Sequence, residues 1–154
     1  MKKNGHITSF YIETLMLIIV FIAMILVITQ IFGEARLASN RAKILTNAVT
    51  LAQNAAESFE AADSPETLQR LLCFDENGVQ AGSDLSFPDG PDRPVLSCAF
   101  GEDMKPAVGA PYLLQLQWMP EDDGLVRTQI SVFYAGQKES VYTLETASSK
   151  EVRP

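Results

Sequence analysis

The sequence predicts an α+β protein: a long N-terminal helix packed on a small antiparallel β-sheet. Three observations carry that prediction. An uncharged apolar run of membrane length stands near the N-terminus. An alanine-rich stretch with helical apolar spacing follows it directly. The last third of the chain then alternates apolar and polar residues with a period of two.

Residues 1–9 form a short basic leader-like segment, Met1-Lys2-Lys3-Asn4-Gly5-His6 followed by Ile7, Thr8 and Ser9. Residues 10–33 are the predicted transmembrane helix. From Leu15 to Phe32, eighteen residues contain no charge, no Pro and no Gly, and Phe10 to Ile12 extend the run by a turn. Lysines ahead of a first span hold the N-terminus in the cytoplasm, which directs the remainder to the extracellular or periplasmic side. A cleaved secretory signal is the competing reading. It fits less well, because the run exceeds the usual apolar region and no A-x-A site follows Phe32.

Glu13 is the one charge at the head of this run. A carboxylate costs roughly 2.5–3.5 kcal/mol at mid-bilayer and less near the edge. Two readings account for it. Glu13 reaches interfacial water near the Lys2-Lys3 end, or it pairs with a group supplied by an assembly.

Residues 34–62 read as an amphipathic external helix. No Pro and no internal Gly interrupt them, and alanine, the best helix former, recurs throughout. Leu45, Ala48, Ala52, Ala55, Phe59 and Ala62 follow one another at helical spacing and draw a single apolar stripe. Arg41, Lys43, Asn47, Gln53, Asn54, Glu57 and Glu60 fall on the opposite surface. A coiled coil prefers larger residues along its seam, so the stripe is expected to pack on the protein's own sheet.

Residues 63–154 form the remaining domain. Asp63-Ser64-Pro65-Glu66 ends the long helix and caps a second one from Pro65 to about Leu71. Asp75-Glu76-Asn77-Gly78 reads as a turn and Phe87 to Pro94 as a loop. Tyr112, Leu114, Leu116 and Trp118 alternate with Leu113, Gln115 and Gln117, as do Val126, Thr128, Ile130, Val132 and Tyr134 with Arg127, Gln129 and Ser131. Met119 to Gly124 joins the two as a hairpin connection. A turn at Tyr134 to Lys138 leads into Ser140 to Glu145. The result is a three-stranded meander, with edge segments around Cys73 and Cys98 as its candidate extensions.

The chain carries a net charge of −7 over 154 residues. Residues 34–154 hold 18 of its 19 acidic and 10 of its 12 basic side chains. An acidic outer part argues against a nucleic-acid groove. Cys73 and Cys98, an even pair on the exported side, predict a disulfide. Closing a loop of about 25 residues contributes roughly 3 kcal/mol in the chain-entropy picture. Two buried thiols are the alternative.

The chemistry-bearing patterns are few. The sole histidine, His6, lies in the leader, so no external Ser–His–Asp or Cys–His arrangement can form. No phosphate-binding loop, nucleophile elbow, zinc-protease motif or N-x-S/T sequon is present. Asp75 to Gly78 and Glu121 to Gly124 lack calcium-loop spacing and read as backbone turns. Asp89 and Asp92 sit in a Pro-rich loop with nothing apolar to shift a carboxyl. The expectation is a non-catalytic protein with no cofactor and no metal.

Together, the basic leader, the apolar helix with Glu13 near its start, the alanine-rich continuation and the small sheet resemble the type IV pilins and pseudopilins. The motif-bearing part covers about residues 1–62. In that family a prepilin peptidase cuts the leader after Gly, the new N-terminal residue is N-methylated and often Phe, and Glu occupies the fifth mature position. Carried onto this chain, Glu13 as fifth residue implies a processing site between Thr8 and Ser9. The chain departs from the pattern there, with Thr8 in place of Gly, Gly5 three residues early and Phe10 one place late. The resemblance implies pilin-like neighbours along the N-terminal helix and a membrane assembly machinery as partners, in a pilus, secretion or DNA-uptake system. A non-polymerising single-pass protein with an external interaction domain, and a secreted acidic protein that discards its N-terminus, are the other two readings.

Overall fold

A computed structural model of the chain describes residues 5–74, 82–88, 93–120 and 125–149. The order of elements is α1 (Gly5–Ala61), α2 (Pro65–Cys73), β1 (Ser83–Ser86), β2 (Val95–Phe100), β3 (Tyr112–Pro120), β4 (Leu125–Tyr134) and β5 (Tyr142–Ser149). The chain divides into two compact units, Met1–Ala42 and Lys43–Pro154, with α1 contributing to both. The α+β prediction holds: a long N-terminal helix and a wholly antiparallel sheet.

In the second unit, the last turns of α1 pack on the sheet. Ala48, Leu51, Ala52, Ala55, Phe59 and Ala62 are buried and share one core with Leu96, Leu114, Leu116, Trp118, Ile130 and Val132. Phe59 meets Trp118 edge to face, with ring centroids 5.3 Å apart and planes at 65°. The predicted stripe needs two changes. Leu45 is 47% exposed, while Leu51, which the expected stripe omitted, is 2% exposed. The buried stripe is wider than one row of the helix, so it reaches Leu51 and half-buries Ile44 on its flank.

The sheet has five strands in the order β1-β2-β3-β4-β5, each antiparallel to the next, where the sequence suggested a three-stranded meander. Cys98 lies in β2, an inner strand between β1 and β3, and not on an edge. Cys73 is not in the sheet at all; it is the last residue of α2, two residues beyond the expected end of that helix. β3 runs on through Met119 and Pro120, which the sequence assigned to the hairpin connection. β5 starts at Tyr142 and continues to Ser149, later at both ends than expected. The turns expected at Asp75 to Gly78 and Glu121 to Gly124, and the acidic pair Asp89 and Asp92, lie outside the described residues.

Alternation along β3 and β4 sorts as predicted. Tyr112, Leu114, Leu116 and Trp118 are buried, as are Val126, Thr128, Ile130 and Val132, while Tyr134 at the end of the row is half-buried; the other face carries Leu113 and Phe133 beside Gln115, Gln117, Arg127, Gln129 and Ser131. Between β4 and β5 the chain reverses at Ala135 and Gly136, whose φ values of 51° and 71° mark a type I′ turn. The Gln137 amide closes it by donating to the Tyr134 carbonyl at 3.1 Å.

α2 begins as its sequence directs. Ser64 is extended at the N-cap, Pro65 opens the helix, and the Thr67 amide donates to Ser64 Oγ at 3.2 Å. Ser64→Ala removes that bond and is expected to lower stability by about 1 kcal/mol, read as a lower thermal midpoint of the solubilised chain. A variant with an unchanged midpoint would show that the cap adds nothing here.

Candidate functional site

Two features stand out once the fold is in place: the exposed apolar length of α1 and the buried contacts that hold the second unit. α1 contains one segment long and apolar enough to cross a membrane, and none of that segment is buried within the chain. Its large side chains, from Phe10 at 67% to Phe32 at 66% exposure, point outward on every side. A helix apolar all round has no polar face to offer water.

Thr14 and Thr29 interrupt this surface, and the helix itself satisfies the hydroxyls of both. Thr14 Oγ1 donates to the Phe10 carbonyl at 2.9 Å, and Thr29 Oγ1 donates to the Ile25 carbonyl at 2.8 Å. Neither hydroxyl is therefore left unpaired in an apolar medium. No such bond is seen for Glu13 among the described residues. Its side chain is exposed on the helix, and among the described side chains those one turn away on its own face are Phe10, Met16 and Leu17. The next basic residue toward the C-terminus is Arg36, about 35 Å further along at 1.5 Å per residue. Thr8 and Ser9, the expected processing site, lie on the backbone of the same helix.

The second unit carries its polar contacts on the flank of the core. Lys43 Nζ donates to Glu102 Oε2 at 2.7 Å, and this hydrogen bond raises the lysine above its ordinary value. Both side chains are 60% exposed, so the pair adds little to stability. Asn47, expected on the solvated face, is half-buried and donates through Nδ2 to the Tyr112 hydroxyl at 3.2 Å. Burial pushes the Tyr112 hydroxyl up, against the opposing effect of the Asn47 bond. The Tyr112 ring also packs against Tyr134 at 4.9 Å. Sequence reasoning missed Asn47, Tyr112 Oη and Glu102 as partners, because they are far apart in the chain.

Cys73 and Cys98 are both fully buried and are not joined by a disulfide in this structure. The neighbouring Cys73 thiol and burial together push the Cys98 thiol well up. The expected pair is therefore adjacent, as thiols rather than as a bridge. Among the described residues no group of three His, Cys, Asp or Glu side chains is placed to hold a metal ion. Thr128 Oγ1 is the buried side-chain oxygen left without a hydrogen bond among the described residues, on the β4 face turned to the core.

The first unit thus carries a carboxylate on an exposed apolar helical segment, and the second a helix-on-sheet core. Comparison with family models, curated proteins and solved structures gives no match to this chain.

Proposed function

We propose that this chain is a pilin-like subunit, a minor pilin or pseudopilin, of a type IV filament system serving a pilus, type II secretion or DNA uptake. Its role is structural and non-catalytic. It is held in the membrane by Phe10 to Gly33, with the N-terminus cytoplasmic and the C-terminal domain extracellular or periplasmic.

The observation that carries this reading is the make-up of α1. One helix joins a wholly exposed apolar segment, headed by Glu13, to an alanine-lined segment buried under an antiparallel sheet. In the membrane, lipid covers the apolar segment. In a filament, the same surface packs against the helices of neighbouring subunits. Glu13 then meets the N-terminal amine of a neighbour, and the pairing offsets the desolvation of both charges and fixes axial register. The partners are other pilin-like subunits along α1, the membrane assembly machinery and a prepilin peptidase acting between Thr8 and Ser9.

One observation favours a second reading. Thr8 stands where the family's peptidase expects Gly, which suits a single-pass protein that is never cut and never polymerises. The mass of the N-terminal peptide, taken from protein recovered from its native cell, separates the two. A start at Ser9 with an added methyl group is the expected result. An intact Met1 or Lys2 start would transfer the reading to the non-polymerising anchor.

A further inference from the structure

We infer that Cys73 and Cys98 are the two halves of a disulfide that closes before α2 seats on the sheet, tying the end of α2 to the middle of β2. The inference rests on the proposal that the domain faces the outer side of the membrane, where disulfide-carrying oxidants operate.

Placement is the first support. Cys73 ends α2, and Cys98 sits on the inner face of β2, opposite Ser83 on one side and Leu114 on the other. α2 rests on β1 and β2. Both cysteines are 0% exposed members of one buried core, and Cys73 is the neighbour that raises the Cys98 thiol. Chemistry narrows the reading. Among the described residues no third metal-ligating side chain is grouped with the pair.

Closure proceeds by thiol–disulfide exchange with the disulfide of an exported dithiol–disulfide carrier protein. The thiolate of one cysteine attacks a carrier sulfur, breaks the carrier's S–S bond and gives a mixed disulfide. The thiolate of the other cysteine then attacks the mixed disulfide, forms the Cys73 Sγ–Cys98 Sγ bond and releases the carrier. Two electrons pass to the carrier, whose sulfurs leave as thiols, and the two protons lost by Cys73 and Cys98 balance those the carrier gains.

The same burial sets the order of events. Exchange requires a thiolate and access to it. In the folded domain both sulfurs are buried out of a carrier's reach, and Cys73 and burial raise the Cys98 thiol, which disfavours its thiolate. Oxidation therefore belongs to the newly exported, still open chain. Once α2 seats, the bond is closed to reductants as well.

The test counts thiols in the full-length protein. Native membranes are quenched in acid, the protein is denatured without reductant and alkylated with N-ethylmaleimide, and its intact mass is measured. Zero labels are expected, and two after reduction in denaturant. Trypsin cannot divide the pair, because Arg93, the one basic residue between them, is followed by Pro; cleavage after Glu76 separates the two cysteines. Folded protein held in dithiothreitol is expected to stay unlabelled until denaturant is added, and rapid reduction of the folded form would overturn the proposed order. Two labels without reductant would overturn the disulfide. A protease-accessibility assay on intact cells, run in parallel, tells which premise has failed. Labelled thiols on an accessible domain overturn the disulfide alone, while labelled thiols on a protected domain overturn the outward orientation with it.

Discussion

Glu13→Ala is expected to leave the protein in the membrane at its normal level and to remove it from filaments. The membrane half of this result follows from composition. The run from Leu15 to Phe32 is uncharged, and losing a carboxylate at its head only makes the segment more apolar. The assembly half follows from charge pairing. On the filament reading, Glu13 neutralises a neighbour's N-terminal amine among apolar helices. Removing one partner of a buried pair costs about 3–5 kcal/mol, because the other charge stays buried alone. At 1.4 kcal/mol per tenfold, incorporation falls by roughly two to three orders of magnitude. The measurement is the amount of subunit in sheared or affinity-purified filament fractions relative to membranes. Glu34→Ala, just beyond the apolar run, is the control and should assemble normally. Equal incorporation of Glu13→Ala and the wild-type chain would sink the pairing and leave Glu13 as an interfacial group reaching water.

The largest stability effect is expected at Phe59. Its side chain is fully buried and meets Trp118 edge to face at the end of α1 that lies on the sheet. Phe59→Ala loses the buried ring and leaves a cavity, at a cost of about 3–5 kcal/mol. A domain of this size holds only about 5–15 kcal/mol in all. A loss of that size lowers the midpoint of a small domain by 4–8 °C for each kcal/mol, so thermal unfolding of the solubilised chain should shift by well over 10 °C. Glu60, the next residue, is exposed, and Glu60→Ala should stay within about 0.5 kcal/mol of the wild type. If the two variants melted together, the helix would not be anchored through Phe59.

These two sites differ in how far the sequence alone reveals them. Glu13 is legible at once, because a single charge in a membrane-length apolar run is conspicuous without any fold. Phe59 is legible as a member of an apolar helical stripe, but its partner Trp118 is not. Leu45 and Leu51 show the limit of such stripes. Both are leucines at plausible spacing, and only packing on the sheet buries Leu51 and leaves Leu45 out. The period of a helix gives a face to within a residue or so; what covers that face selects its edges.

The sheet divides in the same way. β3 and β4 alternate over nine and ten residues, long enough for the period of two to identify them and to name their buried face. β1 has only four residues, Ser-Asp-Leu-Ser, too short to show a period. β2 reads Val-Leu-Ser-Cys-Ala-Phe, with apolar residues on both faces, so its alternation is blurred. Both become strands because β3 offers an open edge for β2 to pair with, and β2 then offers one to β1.

What the sequence determined by itself is therefore local: the apolar run and its lone carboxylate, the helical course of α1, the cap at Ser64, and the alternation of β3 and β4. Each depends on residues within a turn or a few positions of one another, where side-chain chemistry and backbone period act directly. What only the tertiary structure decided is non-local: five strands instead of three, the contact of Cys73 with Cys98, the Asn47 to Tyr112 bond across 65 residues and the Lys43 to Glu102 pair across 59. Such contacts repay the entropy of closing long loops only after the helix and sheet have come together around a shared apolar core, and no short-range pattern encodes them in advance.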